Sequence, residues 1–115
     1  MSERADARLS RLLAAAEAGL AAAAGGAAVC VLTKAGTPVP GIKYHEGRRA
    51  ALTEVARLGG RTSRSPEDAA TDVRASWAED LERLTQRGAG PDWIAYRQGG
   101  LDALADLVAP PVPPA

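Results

Sequence analysis

The chemistry-bearing side chains of this chain concentrate in one short segment, residues 43–49. His45 is the single histidine of the sequence, and cations lie on both sides of it. If a strand ends and a helix begins here, the free backbone N–H groups and the helix dipole would favour an anion, and the cations would add charge-assisted donors. The segment therefore predicts a site for a phosphate, a carboxylate or a nucleic-acid backbone, built from Lys43, Tyr44, His45, Arg48 and Arg49.

Two other interpretations of the same segment stay open. His45 and Glu46 could simply cap a helix while the arginines pair with acids elsewhere in the protein. Alternatively, Tyr44, His45 and Glu46 could form the centre of a small enzyme or ligand-binding site. No catalytic pair is evident in the sequence, because triads are defined by geometry rather than by residue type alone.

Metal and cofactor sites are not predicted. One histidine and one cysteine, Cys30, are too few for a structural zinc site of the all-protein type. Gly25-Gly26 follows a predicted helix instead of a strand, which excludes a phosphate-binding loop there. We therefore expect no cofactor and no metal, and an enzymatic role is not favoured.

The charges are sorted along the chain although they balance overall. Residues 26–64 carry seven cations and two acids, and residues 65–115 carry four cations and nine acids. Either the basic and acidic blocks neutralise each other, within one subunit or across a dimer, or the basic block binds an anionic partner. In the second case nucleic acid is the candidate partner, and the candidate contacts beyond the anion site are Arg57, Arg61 and Arg64.

The composition indicates a single domain with a shortage of large core side chains. The chain has 115 residues, of which 26 are alanine and none is phenylalanine. Because interiors pack to crystal-like density, this shortage predicts either close, Ala-lined contacts between helices or a core completed by a second copy. Of the two we expect the second, that is, a homo-oligomer. The lone Cys30 favours a buried apolar role and a cytoplasmic protein, and no membrane span or secretory signal is predicted.

The elements that position these residues are mainly helical. Apolar spacing predicts a first helix over residues 4–24, with Ser2 as a possible N-cap, and a second helix over residues 46–58 that ends at Gly59-Gly60. Ser65-Pro66 followed by two acids predicts a third helix from Pro66 to Gln86. A fourth helical region starts at Pro91. Gly99-Gly100 either breaks it or marks a close crossing by another backbone.

Between the first two helices the sequence predicts a small hairpin. Residues 27–34 are short, β-branched and bounded by glycines, which is typical of a strand. Residues 39–44 contain Pro40 and follow directly on Pro38, and the two prolines favour an edge strand. The predicted fold is therefore α+β and mainly helical, with four to five helices and a two-stranded hairpin between helix 1 and helix 2. We expect one domain over residues 1–108 and a Pro-rich flexible tail over 109–115.

These observations favour a non-catalytic interaction or regulatory protein that acts as a homo-oligomer. A nucleic-acid-associated protein that uses the basic 43–64 segment is the first alternative. A small enzyme or anion binder centred on Tyr44, His45 and Glu46 is the second.

Overall fold

The computed structural model describes residues 4–25 and 40–109, and within these ranges the chain forms four α-helices. The helices are α1 (Ala5–Ala24), α2 (Pro40–Thr62), α3 (Pro66–Gln86) and α4 (Pro91–Val108). The most extensive packing is between α2 and α4, and α1 and α3 lie against this central pair. None of the helices in these ranges is long and apolar enough to cross a bilayer.

The predicted α+β fold with a two-stranded hairpin is wrong. No strand occurs in the described ranges, and α2 already begins at Pro40. Proline suits the first position of a helix because its φ is preset and its missing N–H has no intrahelical partner there. Pro40 therefore marks a helix start, and the strand predicted over residues 39–44 is not formed over its described part, residues 40–44. The first predicted strand, at 27–34, lies outside the described residues.

The third helix is confirmed with its predicted bounds, and its capping explains why. The Ser65 side-chain oxygen accepts a hydrogen bond from the Asp68 backbone N–H at 3.2 Å, and Pro66 occupies the first helical position. Gly88, with φ +66°, turns the chain after the helix. These signals are local, so they could be recognised from the sequence alone.

Helix α2 does not end at Gly59-Gly60 as predicted, because it continues to Thr62. The residue that leaves the helical conformation is Ser63, with φ +55°. The first helix ends as predicted, at Ala24, with Gly25 in the left-handed conformation. Its N-cap position is Arg4, and Ser2 and the tail beyond residue 109 lie outside the described residues.

One chain supplies a continuous apolar core. All four helices contribute to it, and its larger side chains come at helical spacing from each of them. Many of the large apolar residues of the described ranges are thus gathered in the centre, and Trp93 and Val108 are exposed. The fully or nearly fully buried members include Leu9, Leu12, Leu52, Val55, Val73, Trp77, Leu104 and Leu107.

Two glycines bring α2 and α4 into backbone contact. A Cβ at position 47 would lie 1.8 Å from the Tyr96 carbonyl oxygen, and one at position 99 would lie 2.0 Å from the Tyr44 carbonyl oxygen. Gly47 on α2 and Gly99 on α4 therefore each face the backbone of the other helix. Of the two possibilities for Gly99-Gly100, the close crossing is the one observed, and α4 runs unbroken through both residues. The neighbouring Gly100 makes room for the Trp77 ring.

Candidate functional site

The predicted anion-binding segment lies inside α2, away from any helix N-terminus. Since α2 starts at Pro40, the backbone N–H groups of residues 44–49 belong to the helix. The Tyr44 hydroxyl donates to Asp102 Oδ2 at 2.5 Å, and Arg48 Nη2 donates to Asp106 Oδ2 at 2.7 Å. Two of the five candidate residues are thus held by carboxylates of α4. In the described structure they join α2 to α4.

The other three candidates point to different surroundings. Lys43 Nζ lies 3.4 Å from Glu46 Oε2, one turn along the same helix. The His45 ring packs against α1, where a Cβ on Gly19 would come within 2.5 Å of His45 Nδ1. That nitrogen is shielded from solvent and finds no hydrogen-bond partner among the described residues. Arg49 is exposed. The structure therefore does not gather the five residues around one point.

Burial and the α4 carboxylates shift the ionisation of this contact. Partial burial, reinforced by the hydrogen bond to Asp102, raises the pKa of Tyr44 above its ordinary value of 10.0, and Arg48 opposes the shift. Burial by itself would lower the pKa of Arg48, but its bonds to Asp106 and Tyr44 outweigh burial and raise it. Both shifts favour the forms present at neutral pH, the neutral phenol and the charged guanidinium.

The nucleic-acid candidates divide into one paired and two unpaired arginines. Arg64 Nη1 lies 2.5 Å from Asp72 Oδ2, and this bond raises the pKa of Arg64. Arg57 and Arg61 are exposed on α2 and have no ion-pair partner among the described residues. Arg49, eight residues before Arg57, is likewise exposed and has no ion-pair partner among the described residues. At about 100° per residue the three arginines follow a diagonal that turns about 120° around α2. These three form the arginine row of α2, which spans about 18 Å at 1.5 Å per residue.

Helix α3 carries a matching row of acids on its solvent side. Its buried positions include Ala70, Val73 and Trp77, and the acids occupy the opposite face. The row is about 21 Å long at 1.5 Å per residue, and within the described chain only its Asp72 forms an ion pair. We call these residues the acid row of α3: Asp68, Asp72, Glu79 and Glu82.

A further site, which the sequence analysis missed, lies where the end of α3 faces the start of α4. The Trp77 indole N–H donates to Glu54 Oε2 at 3.0 Å, and its ring stacks on Tyr96 with centroids 5.2 Å apart. The Arg97 guanidinium lies 4.4 Å from the Trp77 ring centre and also pairs with Asp80. Beyond this cluster opens a cleft of about 500 Å³. The residues of the Trp77 cluster are separated in sequence, and no local motif connects them.

The Trp77 cluster also shifts the ionisation of its tyrosine. Burial is the main cause that raises the pKa of Tyr96 above 10.0, and Arg97 opposes it. Within the described residues, no group of three or more His, Cys, Asp or Glu side chains is arranged to hold a metal ion.

The part of the chain that the structure describes thus combines four helices with two oppositely charged rows and a cationic, aromatic cleft. Comparisons of the chain with models of protein families, with curated proteins and with solved structures find no match.

Proposed function

We propose that this protein is a small, non-catalytic interaction or regulatory protein that acts as a homo-oligomer in the cytoplasm. The observation that carries the proposal is the pair of charged rows that the single chain leaves uncompensated. The arginine row comprises Arg49, Arg57 and Arg61, and all three are exposed. The acid row of α3 is likewise exposed, and three of its four members have no ion pair in the described chain.

The two rows are similar in length along their helices, about 18 Å and about 21 Å, and parts of them share a spacing. Arg57 and Arg61 are four residues apart, as are Asp68 and Asp72, which places both pairs about 6 Å apart along their helices. Arg49 lies about 18 Å from Arg61, and Glu79 lies about 17 Å from Asp68. A two-fold axis would place the arginine row of each subunit against the acid row of its partner, and would form the contact twice.

Small residues on the same faces allow the two helices to approach. Ala56 lies on the side of α2 that carries Arg49, and Ala75 lies between the acids of α3, both exposed. A charged interface of this kind favours fast, specific association more than raw affinity. We therefore expect a reversible oligomer that weakens when salt shortens the Debye length from about 10 Å at 0.1 M to about 3 Å at 1 M.

The test is sedimentation velocity from micromolar to millimolar protein, combined with charge reversal. Arg57→Glu with Arg61→Glu should give a monomer, and Glu79→Arg with Glu82→Arg should do the same. An equimolar mixture of the two double variants should assemble again, because both contacts of the heterodimer are then complementary. Arg74→Glu, at an exposed cation of α3 outside both rows, is the control and should leave assembly unchanged. A wild-type mass that stays monomeric over the whole range would overturn the proposal.

Nucleic-acid association is the second candidate, and the same unpaired arginine row favours it. If Arg49, Arg57 and Arg61 each neutralise one phosphate, the logarithm of the binding constant should fall with the logarithm of salt concentration at a slope of about −2.7. Electrophoretic retardation of duplex DNA at low salt measures this. Loss of retardation in the Arg57→Glu, Arg61→Glu variant would support the role. No retardation by the wild type would exclude it.

A further inference from the structure

The cleft between the C-terminal end of α3 and the N-terminal end of α4 has the dimensions of a small-molecule site. Its volume of about 500 Å³ lies within the range of about 300–1,000 Å³ that is usual for ligand pockets. Both walls are helices of the rigid pair α3 and α4, so the lining is positioned by regular structure. The residues that line it are Asp80, Arg83, Leu84, Gln86, Arg87, Trp93 and Arg97.

An exposed indole forms the apolar wall. Trp93 stands in the first turn of α4 and is 60% exposed, which makes it the more exposed of the two large apolar side chains that the described part of the chain presents to solvent. Trp77, by contrast, is 2% exposed. A tryptophan face open to a cleft offers a planar ring a stacking partner, and aromatic pairs contribute beyond the area they bury.

Cations form the rest of the lining. Asp80 Oδ1 accepts from Arg83 at 2.5 Å, and Asp80 Oδ2 lies 3.3 Å from Arg97 Nη1. This carboxylate thus holds two guanidinium groups in place with its two oxygens. The Arg87 side chain has no ion-pair or hydrogen-bond partner in the described structure. Among the lining residues three arginines face one acid, so the cleft carries a formal charge of +2.

We propose that this cleft binds a small organic anion in which a planar ring is joined to a phosphate group. The ring stacks on Trp93, and the phosphate is held by Arg87 and Arg83. A phosphate monoester carries about −1.5 to −2 charges at neutral pH, which matches the charge of the cleft. The planar guanidinium fork suits bidentate contact with phosphate oxygens.

A second cleft between α3 and α4 lacks the exposed indole and the several guanidinium groups of the first. That cleft, of about 390 Å³, is lined mainly by alanines together with Leu104 and Val108, and it has the single cation Arg74. It offers no aromatic face and no pair of guanidinium groups. The chemistry of the first cleft therefore reflects its own residues and is not a general property of the α3–α4 surface.

The two indole N–H signals in a proton–nitrogen correlation spectrum provide the assay, and Trp93→Phe assigns them. We expect adenosine monophosphate to shift the Trp93 signal in a saturable manner, while the Trp77 signal, held by Glu54, stays in place. Adenosine, which has only the ring, and inorganic phosphate, which has only the anion, should each bind at least about tenfold more weakly, because each loses one set of contacts. If inorganic phosphate alone shifts the Trp93 signal as strongly as adenosine monophosphate does, the proposed stacking of the ring on Trp93 is wrong.

Two substitutions test the residues themselves. Arg87→Ala should weaken adenosine monophosphate binding about tenfold without affecting folding, because the side chain is exposed and unpaired. Arg74→Ala, at an exposed arginine within α3 that lines the other cleft, is the matched control and should bind as the wild type does. If the Trp93 signal does not move with adenosine monophosphate, or if both variants behave alike, the proposal is wrong. None of the cleft residues belongs to the two charged rows, so this outcome is independent of self-association.

Discussion

The crossing of α2 and α4 at Gly47 and Gly99 allows a stability prediction from geometry. An alanine Cβ at position 99 would lie 2.0 Å from the Tyr44 carbonyl oxygen, whereas real Cβ contacts essentially never fall below 3.0 Å. The obstacle is backbone, which cannot rotate away as a side chain can. The two helices must therefore separate by about 1 Å at the centre of their contact.

The expected cost of Gly99→Ala follows from two opposing effects. Overpacking in a close-packed interior costs about 1–3 kcal/mol, and more where backbone must move. Alanine regains about 1 kcal/mol over glycine in a helix interior. With the overpacking term at its upper limit, we expect a net loss of about 2 kcal/mol in the free energy of unfolding. In a domain of this size that lowers Tm by about 10 °C.

Thermal and urea unfolding, followed by far-ultraviolet circular dichroism, would measure this loss. Gly60→Ala is the matched control, because position 60 is helical and a Cβ there meets nothing within 4 Å. The control should be neutral or more stable by about 0.5 kcal/mol. The double variant Gly47→Ala, Gly99→Ala should cost less than the two single losses added, because one separation of the helices relieves both clashes. A Gly99→Ala protein as stable as the Gly60→Ala protein would refute the reasoning.

Three further outcomes follow from local contacts. Ser65→Ala should lower the free energy of unfolding by about 1 kcal/mol in urea titrations, because it removes the side-chain cap of α3. Glu54→Ala should cost about 1–3 kcal/mol in the same assay, because it leaves the buried indole N–H of Trp77 unpaired. Since the pKa values of Tyr44 and Tyr96 are raised in the folded state, stability should be constant below the unfolded pKa of about 10 and fall as pH rises through the folded values.

Each of these three predictions has its own control. Ser76→Ala and Arg74→Ala change exposed residues within α3 that lie outside the acid row and should stay within about 0.5 kcal/mol of the wild type. If Ser65→Ala or Glu54→Ala lowers the free energy of unfolding no more than these controls do, the hydrogen bond that it removes contributes nothing measurable to stability. For the tyrosines, absorbance titration of Tyr44→Phe and Tyr96→Phe separates the two phenols. If either phenol ionises in the native protein with the pKa of an unfolded tyrosine, the burial assigned to that side chain is wrong.

The charge pattern of the sequence led to a partly correct expectation about the surface. Arg48 and Arg64 do meet acids of the C-terminal half, at Asp106 and Asp72. Which arginines are neutralised depends on which face of α2 packs against its neighbours, and residue counts contain no such information. The core combines large side chains such as Trp77 and Leu104 with five buried alanines. Composition could not assign these positions, because burial depends on placement rather than on abundance.

The candidate cleft could not have been found from sequence patterns. Arg83 and Trp93 are ten residues apart and on different helices, and Asp80 connects Arg83 to Arg97 only after α3 and α4 pack together. The segment around His45 looked more like a site because its polar residues are consecutive. In a helix consecutive residues point in different directions, so the fold separated them.

The sequence by itself determined the features that depend on neighbours along the chain. The bounds of α3 follow from Ser65, Pro66 and the glycine that ends its turn, and the end of α1 follows from Gly25. Tertiary structure decided whether Pro40 starts a strand or a helix. It also decided whether Gly99 interrupts α4 or allows α2 to pack closely against it. The physical reason is the distance along the chain over which each interaction acts. A cap or a turn is complete within a few residues. Helix α2 begins with the weak helix formers Pro40 and Gly41, and it is stabilised by the surface that it buries against another helix.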